Sequence, residues 1–277
     1  MINSNGNNST ALNSLSQNRG FLYGDAVFET VKIVNSKILF LEDHYFRLMA
    51  SMRILRMEIP MDFTMEFFEE QVLTTVTNNG FAQSSRARIT VYRNDGGFYL
   101  PTTNTISFLI HASPLDNKDY LLESRPCEVD LYKDFYISKQ LLSTLKTTNK
   151  VLHVTASIYA DENDLDNCIL LNESKNVVEV LQGNIFMLQG NRLITPPVSE
   201  GCCNGVLRKQ LLVLAKKIEG LEVIEEVISP FDLQKADELF YTNVIKGIQS
   251  ITKYRKKDFT NVLANQLVKK LNEHIAI

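Results

Sequence analysis

Lys146 follows the apolar residues Leu141, Leu142 and Leu145 in a chain of 277 residues. Shielding of this kind lowers a lysine's pKa, and the neutral amine is then a nucleophile for a carbonyl. A solvated surface cation would look the same from this one residue. A second feature is Cys202-Cys203-Asn204-Gly205-Val206, where small residues run into a helical pattern. A helix opened in that way directs backbone N–H groups outward and can seat a phosphate, although an ordinary loop-to-helix junction has the same signature. The four cysteines (Cys127, Cys168, Cys202, Cys203) form no C-x-x-C pair, and the four histidines are far apart. Neither a disulfide framework nor a zinc site is expected from these spacings.

Further along the chain the same residues fall into a longer series. Arg19-Gly-x-x-Tyr-Gly-Asp-x-Val-Phe-Glu-Thr comes first, then Glu42-Asp-His-x-x-Arg47-Leu and Leu145-Lys146-Thr-Thr-Asn149. Val178-Glu179-x-x-x-x-Asn184-Ile-Phe follows, then Thr195-Pro-Pro, Gly205-Val206-Leu207-Arg208 and Ala236-Asp-Glu-Leu-Phe-Tyr-Thr-Asn243. In this order the segments resemble the class IV aminotransferases. That family of pyridoxal-phosphate (PLP) enzymes includes branched-chain and D-amino-acid aminotransferases and aminodeoxychorismate lyases. The resemblance runs from about Arg19 to Ile251.

The resemblance implies an α+β two-domain chain of PLP fold type IV, D-amino-acid aminotransferase-like, with the cofactor in the interdomain cleft. It implies that Lys146 carries PLP as a Schiff base and then shuttles the substrate proton. Glu179 would face the pyridine nitrogen and keep it protonated. Arg47 would hold the phosphate in a bidentate contact, joined by backbone N–H groups of Val206 and Leu207. Asn243 and Val244 fall at further phosphate positions; relatives there use hydroxyls, which Val244 lacks, and Leu207 stands where aminotransferases carry threonine. Lys150 stands where relatives have a tyrosine or arginine on the cofactor, or is solvated. Arg93 is a candidate for the substrate carboxylate, with Phe28 in place of a tyrosine partner; the alternative for Arg93 is a structural arginine at a strand end.

Transamination between an amino acid and a 2-oxo acid, of branched-chain type or similar, is the leading activity. The alternative is an aminodeoxychorismate lyase releasing pyruvate and 4-aminobenzoate, toward which Asn204-Gly-Val-Leu-Arg208 and Thr242-Asn243 lean. A non-catalytic binding relative is a third reading, opposed by the joint presence of Lys146, Glu179 and Arg47. A homodimer, with the cleft completed by the neighbour's N-terminal half, is a further expectation of the resemblance.

The elements that must position these residues show in the hydrophobic period. Arg19 to Asp25 reads as a loop, Val27 to Val34 as a strand, and Lys37 to Leu41 as its hairpin partner across Asn35-Ser36. Glu42 to Leu55 is helical, and Asp62 is the expected N-cap of a second helix through Phe67, Val72 and Val76. Arg86 to Arg93 and Thr105 to His111 read as strands, with Arg86 and Arg88 exposed on the sheet. The divisions are an N-terminal domain over 1–115, a linker over 116–126 and a C-terminal, cofactor-binding domain over 127–277. There, Lys150 to Asp161 is a helix with Val151, Val154 and Ile158 on one face. Strands Cys168–Leu171, Val177–Val180, Ile185–Leu188, Leu193–Thr195, Val223–Ile228 and Glu238–Thr242 are expected, with helices Gly205–Ile218 and Thr260–His274.

A hydrophobic share of 44% beside 22% charged residues is that of a globular chain. The net charge of −3 comes without a basic run, so no nucleic-acid partner is expected. No apolar run reaches membrane-spanning length, and the Asn- and Ser-rich start over 1–17 does not read as a signal peptide. The expectation is a cytoplasmic protein that acts on a small amino-acid or aminodeoxychorismate substrate.

Overall fold

The structure, a computed structural model, describes residues 2–9, 17–81 and 83–276, so 10–16 of the Asn-rich start lie outside it. Two compact units are present: Met1–Lys118 with Lys146–Asn149, and Asp119–Leu145 with Lys150–Ile277. The segment Lys146–Asn149 therefore belongs to the first unit, while the chain on either side of it belongs to the second.

In the first unit β1 (Ile2–Ser4), β2 (Asn7–Ser9) and the short α1 (Arg19–Tyr23) precede β3 (Ala26–Val34) and β4 (Lys37–Ile38). Then come α2 (Leu41–Ile54), α3 (Met65–Asn78), β5 (Ser84–Arg93) and β6 (Ile106–Pro114). The strands form one antiparallel sheet in the order β2-β1-β6-β5-β3-β4. Side chains alternate across a strand, so the sheet has two unlike faces. Val27, Val31, Ile33, Ala87, Ile89 and Val91 enter a core with Leu48 and Met52 of α2 and Phe68 and Val72 of α3. Each of the large side chains among these contributes about 1.5–3 kcal/mol. The other face carries Phe28, Thr30 and Lys32 of β3, which pair in register with Thr90, Arg88 and Arg86 of β5.

Local chemistry moved several boundaries. The expected loop after Gln17 is helical as α1, because the Asn18 side chain accepts from the Phe21 N–H at its start. Gly24 closes it in the left-handed region at φ 63°. The hairpin partner of β3 is only two residues long, since Phe40 turns left-handed at φ 58° and launches α2. The N-cap of α3 is Thr64, not Asp62: Thr64 Oγ1 accepts from the Phe67 N–H at 3.2 Å.

The second unit contains β7 (Glu128–Leu131), α4 (Leu141–Thr144), α5 (Val151–Glu162), β8 (Asn167–Leu171), β9 (Val177–Val180), β10 (Asn184–Gln189) and β11 (Arg192–Thr195). These are followed by α6 (Val206–Ala215), β12 (Glu222–Glu225), β13 (Glu238–Asn243), β14 (Gly247–Ile251), β15 (Lys253–Tyr254), β16 (Lys257–Asp258) and α7 (Val262–Ile275). Two five-stranded sheets, β12-β11-β10-β13-β14 and β16-β15-β7-β8-β9, share a core of Ile169, Val177, Ile185, Met187, Leu239 and Ile251. The helix α5 buries Ala156 and Ala160 against Cys168, Leu170 and Val178. Its apolar face therefore points away from the core: Val151, Val154 and Ile158 are 75%, 56% and 53% exposed. No helix among the described residues is long and apolar enough to cross a membrane.

Candidate active site

The segment 146–149 lies antiparallel against the start of β3. Phe28 N–H donates to the Lys146 carbonyl at 2.9 Å, Thr148 N–H to that of Ala26 at 3.1 Å, and Val27 and Thr147 form a bridge. Asn149 Nδ2 donates to the Gly24 carbonyl at 3.2 Å. A Cβ on Gly24 would stand 2.1 Å from Asn149 Oδ1, so the first motif's glycine makes room for the third motif's asparagine. Two segments more than a hundred residues apart thereby become one local structure. It leaves Lys146 half-buried, with Nζ 4.6 Å from the Phe28 ring centroid. The Arg88 guanidinium lies 3.7 Å from the same centroid.

Arg88 and Arg86 are half-buried rather than exposed, because the Phe28 ring occupies the same sheet face. Neither has an acidic partner among the described residues, and Arg88 is pulled below its ordinary pKa by desolvation and by the charge of Arg86. A positive, partly dry surface beside an amine is suited to an anionic group.

On the opposite face of β3, Glu29 meets α2. Arg47 donates from Nε to Glu29 Oε1 at 2.7 Å and from Nη2 to Oε2 at 2.6 Å. His44, one turn earlier, places Nδ1 2.7 Å from Oε2. Burial alone would raise the Glu29 carboxyl, but Arg47 and His44 overcome it and hold it at about 2. Burial lowers His44, helped by the charges of Arg47 and Lys146 against the pull of Glu29. His44 is thus neutral at pH 7 and donates from Nδ1, leaving Nε2 buried without a partner among the described residues. Arg93 is buried elsewhere: its nitrogens reach Asp25 Oδ2 at 2.9 Å, Asn104 Oδ1 at 2.6 Å, and the carbonyls of Leu55 and Arg56 at 2.6 and 3.2 Å. Arg19 shares Asp25 and holds the carbonyls of Gly96 and Phe98 at 3.0 and 2.6 Å.

In the second unit Glu179 is buried on β9. Its Oε2 accepts from the Cys203 N–H at 2.9 Å, and its Oε1 lies 3.1 Å from His153 Nε2. Cys203 leads into α6, whose N-cap is Gly205 and whose first turn has no side-chain cap, so the Val206 and Leu207 amides open the helix. Asn184 crosses beneath: its Nδ2 donates to the Cys203 carbonyl at 2.8 Å, and a Cβ on Gly205 would come within 2.0 Å of its Oδ1. Asn184 pairs in register with Thr242 of β13, whose Oγ1 is buried with no partner among the described residues. Asn243 spends its Oδ1 on the N–H groups of Ile245 and Lys246, at 3.0 and 2.8 Å, and the Val244 carbonyl accepts from Tyr120 Oη at 2.7 Å. Lys150 sits at the start of α5 and is half-buried.

Glu29, His44, Arg88, His153 and Thr242 were given no place among the site residues from the sequence. His44 and Arg47 stand three apart on a helix and so share a face, a signal that was available. Arg88 alternates with Arg86 on β5, which marked the face but not its burial. The partnership of His153 with Glu179 depends on packing α5 onto β9 and has no local signature.

Residues 26–254 match the family model for amino-transferase class IV. A putative branched-chain-amino-acid aminotransferase of Methanocaldococcus jannaschii is 31% identical over 265 residues, covering 92% of this chain and 87% of the relative. The chain belongs to the class IV aminotransferase family. Its fold is that of the fold-type IV members: the branched-chain amino acid aminotransferase of Thermobaculum terrenum, solved in its PLP form, superposes with a TM-score of 0.84 at 23% identity, over 99% of this chain and 92% of that one. An aminodeoxychorismate lyase of Vibrio harveyi is also similar, 24% identical over 84% of each chain. Class IV aminotransferases are PLP enzymes, and this member has the same order of motifs. No cluster of three or more potential metal ligands occurs among the described residues.

Proposed function

We propose that this chain uses PLP, bound covalently at Lys146 Nζ, to move an amino group between an amino acid and a 2-oxo acid. The observation that carries the reading is Lys146 itself: half-buried, fixed by backbone pairing to β3, and set over the Phe28 ring that Arg88 also meets. The residues fit the cofactor. A half-buried lysine suits its aldehyde, a buried carboxylate at Glu179 its ring nitrogen, and the uncapped start of α6 its phosphate. PLP, when bound, supplies an electron sink for the pair left at the substrate's α-carbon.

The chain's own side chains supply the rest. Lys146 Nζ, freed when the substrate amine takes its place, would take the α-proton and deliver it to the carbon of the cofactor aldehyde, not back to the α-carbon. Glu179 holds a proton on the ring nitrogen. Arg47, Val206 and Leu207 bind phosphate, with Arg47 oriented for it by its bidentate grip on Glu29. Asn243 and Val244 would contribute through the backbone of their turn, since the Asn243 oxygen is already used within it. The substrate carboxylate goes to Arg88 and Arg86, which lack acidic partners among the described residues, while Arg93 holds the turn around Asp25. Phe28 is the aromatic ring that both Lys146 and Arg88 approach.

The uncovered apolar face of α5 supports a homodimer, and four unbridged cysteines are in keeping with a cytoplasmic location. The test is to load the protein with PLP and supply a panel of amino acids with 2-oxo acids. Stoichiometric oxo-acid and amino-acid products are expected. The lyase reading draws on the lyase relative, and pyruvate with 4-aminobenzoate from aminodeoxychorismate, without amino transfer, would replace transamination with it.

A further inference from the structure

Glu179 is a buried carboxyl group met by two nitrogens, the Cys203 N–H on Oε2 and His153 Nε2 on Oε1. A proton must lie between Nε2 and Oε1, on one atom or the other. The far side of the imidazole decides which. His153 Nδ1 is buried and has no hydrogen-bond partner among the described residues. Were Glu179 protonated and donating to Nε2, the neutral ring would carry its proton on Nδ1, as a buried donor with nothing to meet. An imidazolium would strand the same donor. The arrangement that strands no donor is a neutral ring with its proton on Nε2, donating to an ionised Glu179; Nδ1 then keeps only an unused lone pair, a lesser cost than an unmet N–H.

We infer that His153 is a positioning residue that holds Glu179 ionised and fixed for the cofactor's ring nitrogen. The inference rests on the PLP reading above. With one N–H on each oxygen the carboxylate cannot turn, and its remaining lone pairs are left for a third donor. Without the imidazole the carboxylate loses one of its two donors, so the proton shared with the ring nitrogen shifts toward Glu179 and the ring loses positive charge. His153 therefore sets how strongly the site can draw electrons without touching substrate.

The experiment is nitrogen-15 NMR in two stages at neutral pH. In the cofactor-free protein with labelled histidine, His153 is expected to show a protonated-type Nε2 and an unprotonated-type Nδ1. An Nδ1–H tautomer or an imidazolium overturns the inference, whatever the protein's activity. In the second stage the protein is loaded with ring-labelled PLP. His153→Leu is expected to move the ring-nitrogen signal toward neutral pyridine, and His153→Gln, whose amide can still donate, to restore it. Glu179→Gln is the control. If the control shifts the signal and His153→Leu does not, the inference fails alone. If the control leaves the signal in place, or PLP does not bind, the site reading fails, and the first stage still decides the state of the His153–Glu179 pair.

Discussion

Arg47 grips Glu29 and is proposed to hold the phosphate, two roles that a single substitution cannot separate. Arg47→Ala removes the bidentate partner of the buried Glu29 and strands a carboxylate, which should cost about 3–5 kcal/mol of stability. The double variant Glu29→Gln/Arg47→Met should recover most of that loss yet bind PLP weakly. Denaturation and PLP titration of both proteins check this; normal PLP affinity in the folded double variant would remove Arg47 from the phosphate. The same cluster fixes a pH dependence. Glu29 titrates near 2 in the folded chain against an ordinary 4.5, so its contribution is complete above about 4.5 and is lost as pH falls toward 2. His44 lies below its ordinary 6.5, so the unfolded chain gains a proton first and stability already begins to fall below that pH. Both act in one direction. Thermal midpoints should drop from pH 7.5 to 5.5 and further by pH 4, and His44→Gln should flatten the first step; a constant midpoint would contradict both assignments. The motif around Arg47 was legible in the sequence, but its buried partner was not, because Glu29 comes from a strand and only the packing of α2 on β3 joins them.

At the scale of elements, the caps and turns decide where the site residues stand. Thr64→Ala should cost about 1 kcal/mol through the lost cap of α3, while the exposed Asp62→Ala should change stability by less than about 0.5 kcal/mol. Equal effects would mean that the hydroxyl is not the cap. Both residues are good N-caps by type, and the sequence could not choose between them, because the choice depends on which one has its side chain aimed at the first free N–H. Gly205→Ala has a larger consequence, since its Cβ would meet the Asn184 oxygen and push the start of α6 away from β10. PLP affinity should fall at least tenfold in that variant; unchanged affinity would mean that α6 does not seat the phosphate. Strands with clear alternation, β3, β5 and β6, were visible in the sequence. The two-residue β4, β15 and β16 were too short for any period to show, and β14 follows a turn whose hydrogen bonds come from Asn243 rather than from a glycine–proline signal.

For the whole molecule, the apolar stripe of α5 is the feature that needs an explanation. A helix written with Val151, Val154 and Ile158 on one face would ordinarily be expected to bury that face, and its period alone says nothing about which face meets the core. Here the small residues Ala156 and Ala160 lie against the sheet and the large ones are left outside. If a second copy covers them, Val154→Asp/Ile158→Asp should convert a dimer into a folded monomer in light scattering; an unchanged mass would place the interface elsewhere. The family and the order of its motifs could be read in the sequence because each motif is a run of local residues. The return of 146–149 to the first unit could not, since it depends on backbone pairing with a strand more than a hundred residues earlier. That return is what gives Lys146 its surroundings, and Lys150 stands only four residues away. The most direct measurement is borohydride reduction of the PLP-treated protein, followed by peptide mapping. The phosphopyridoxyl group should be found on Lys146 and be absent in Lys146→Ala, while Lys150→Ala stays labelled. A label on Lys150, or on no lysine at all, would contradict the account.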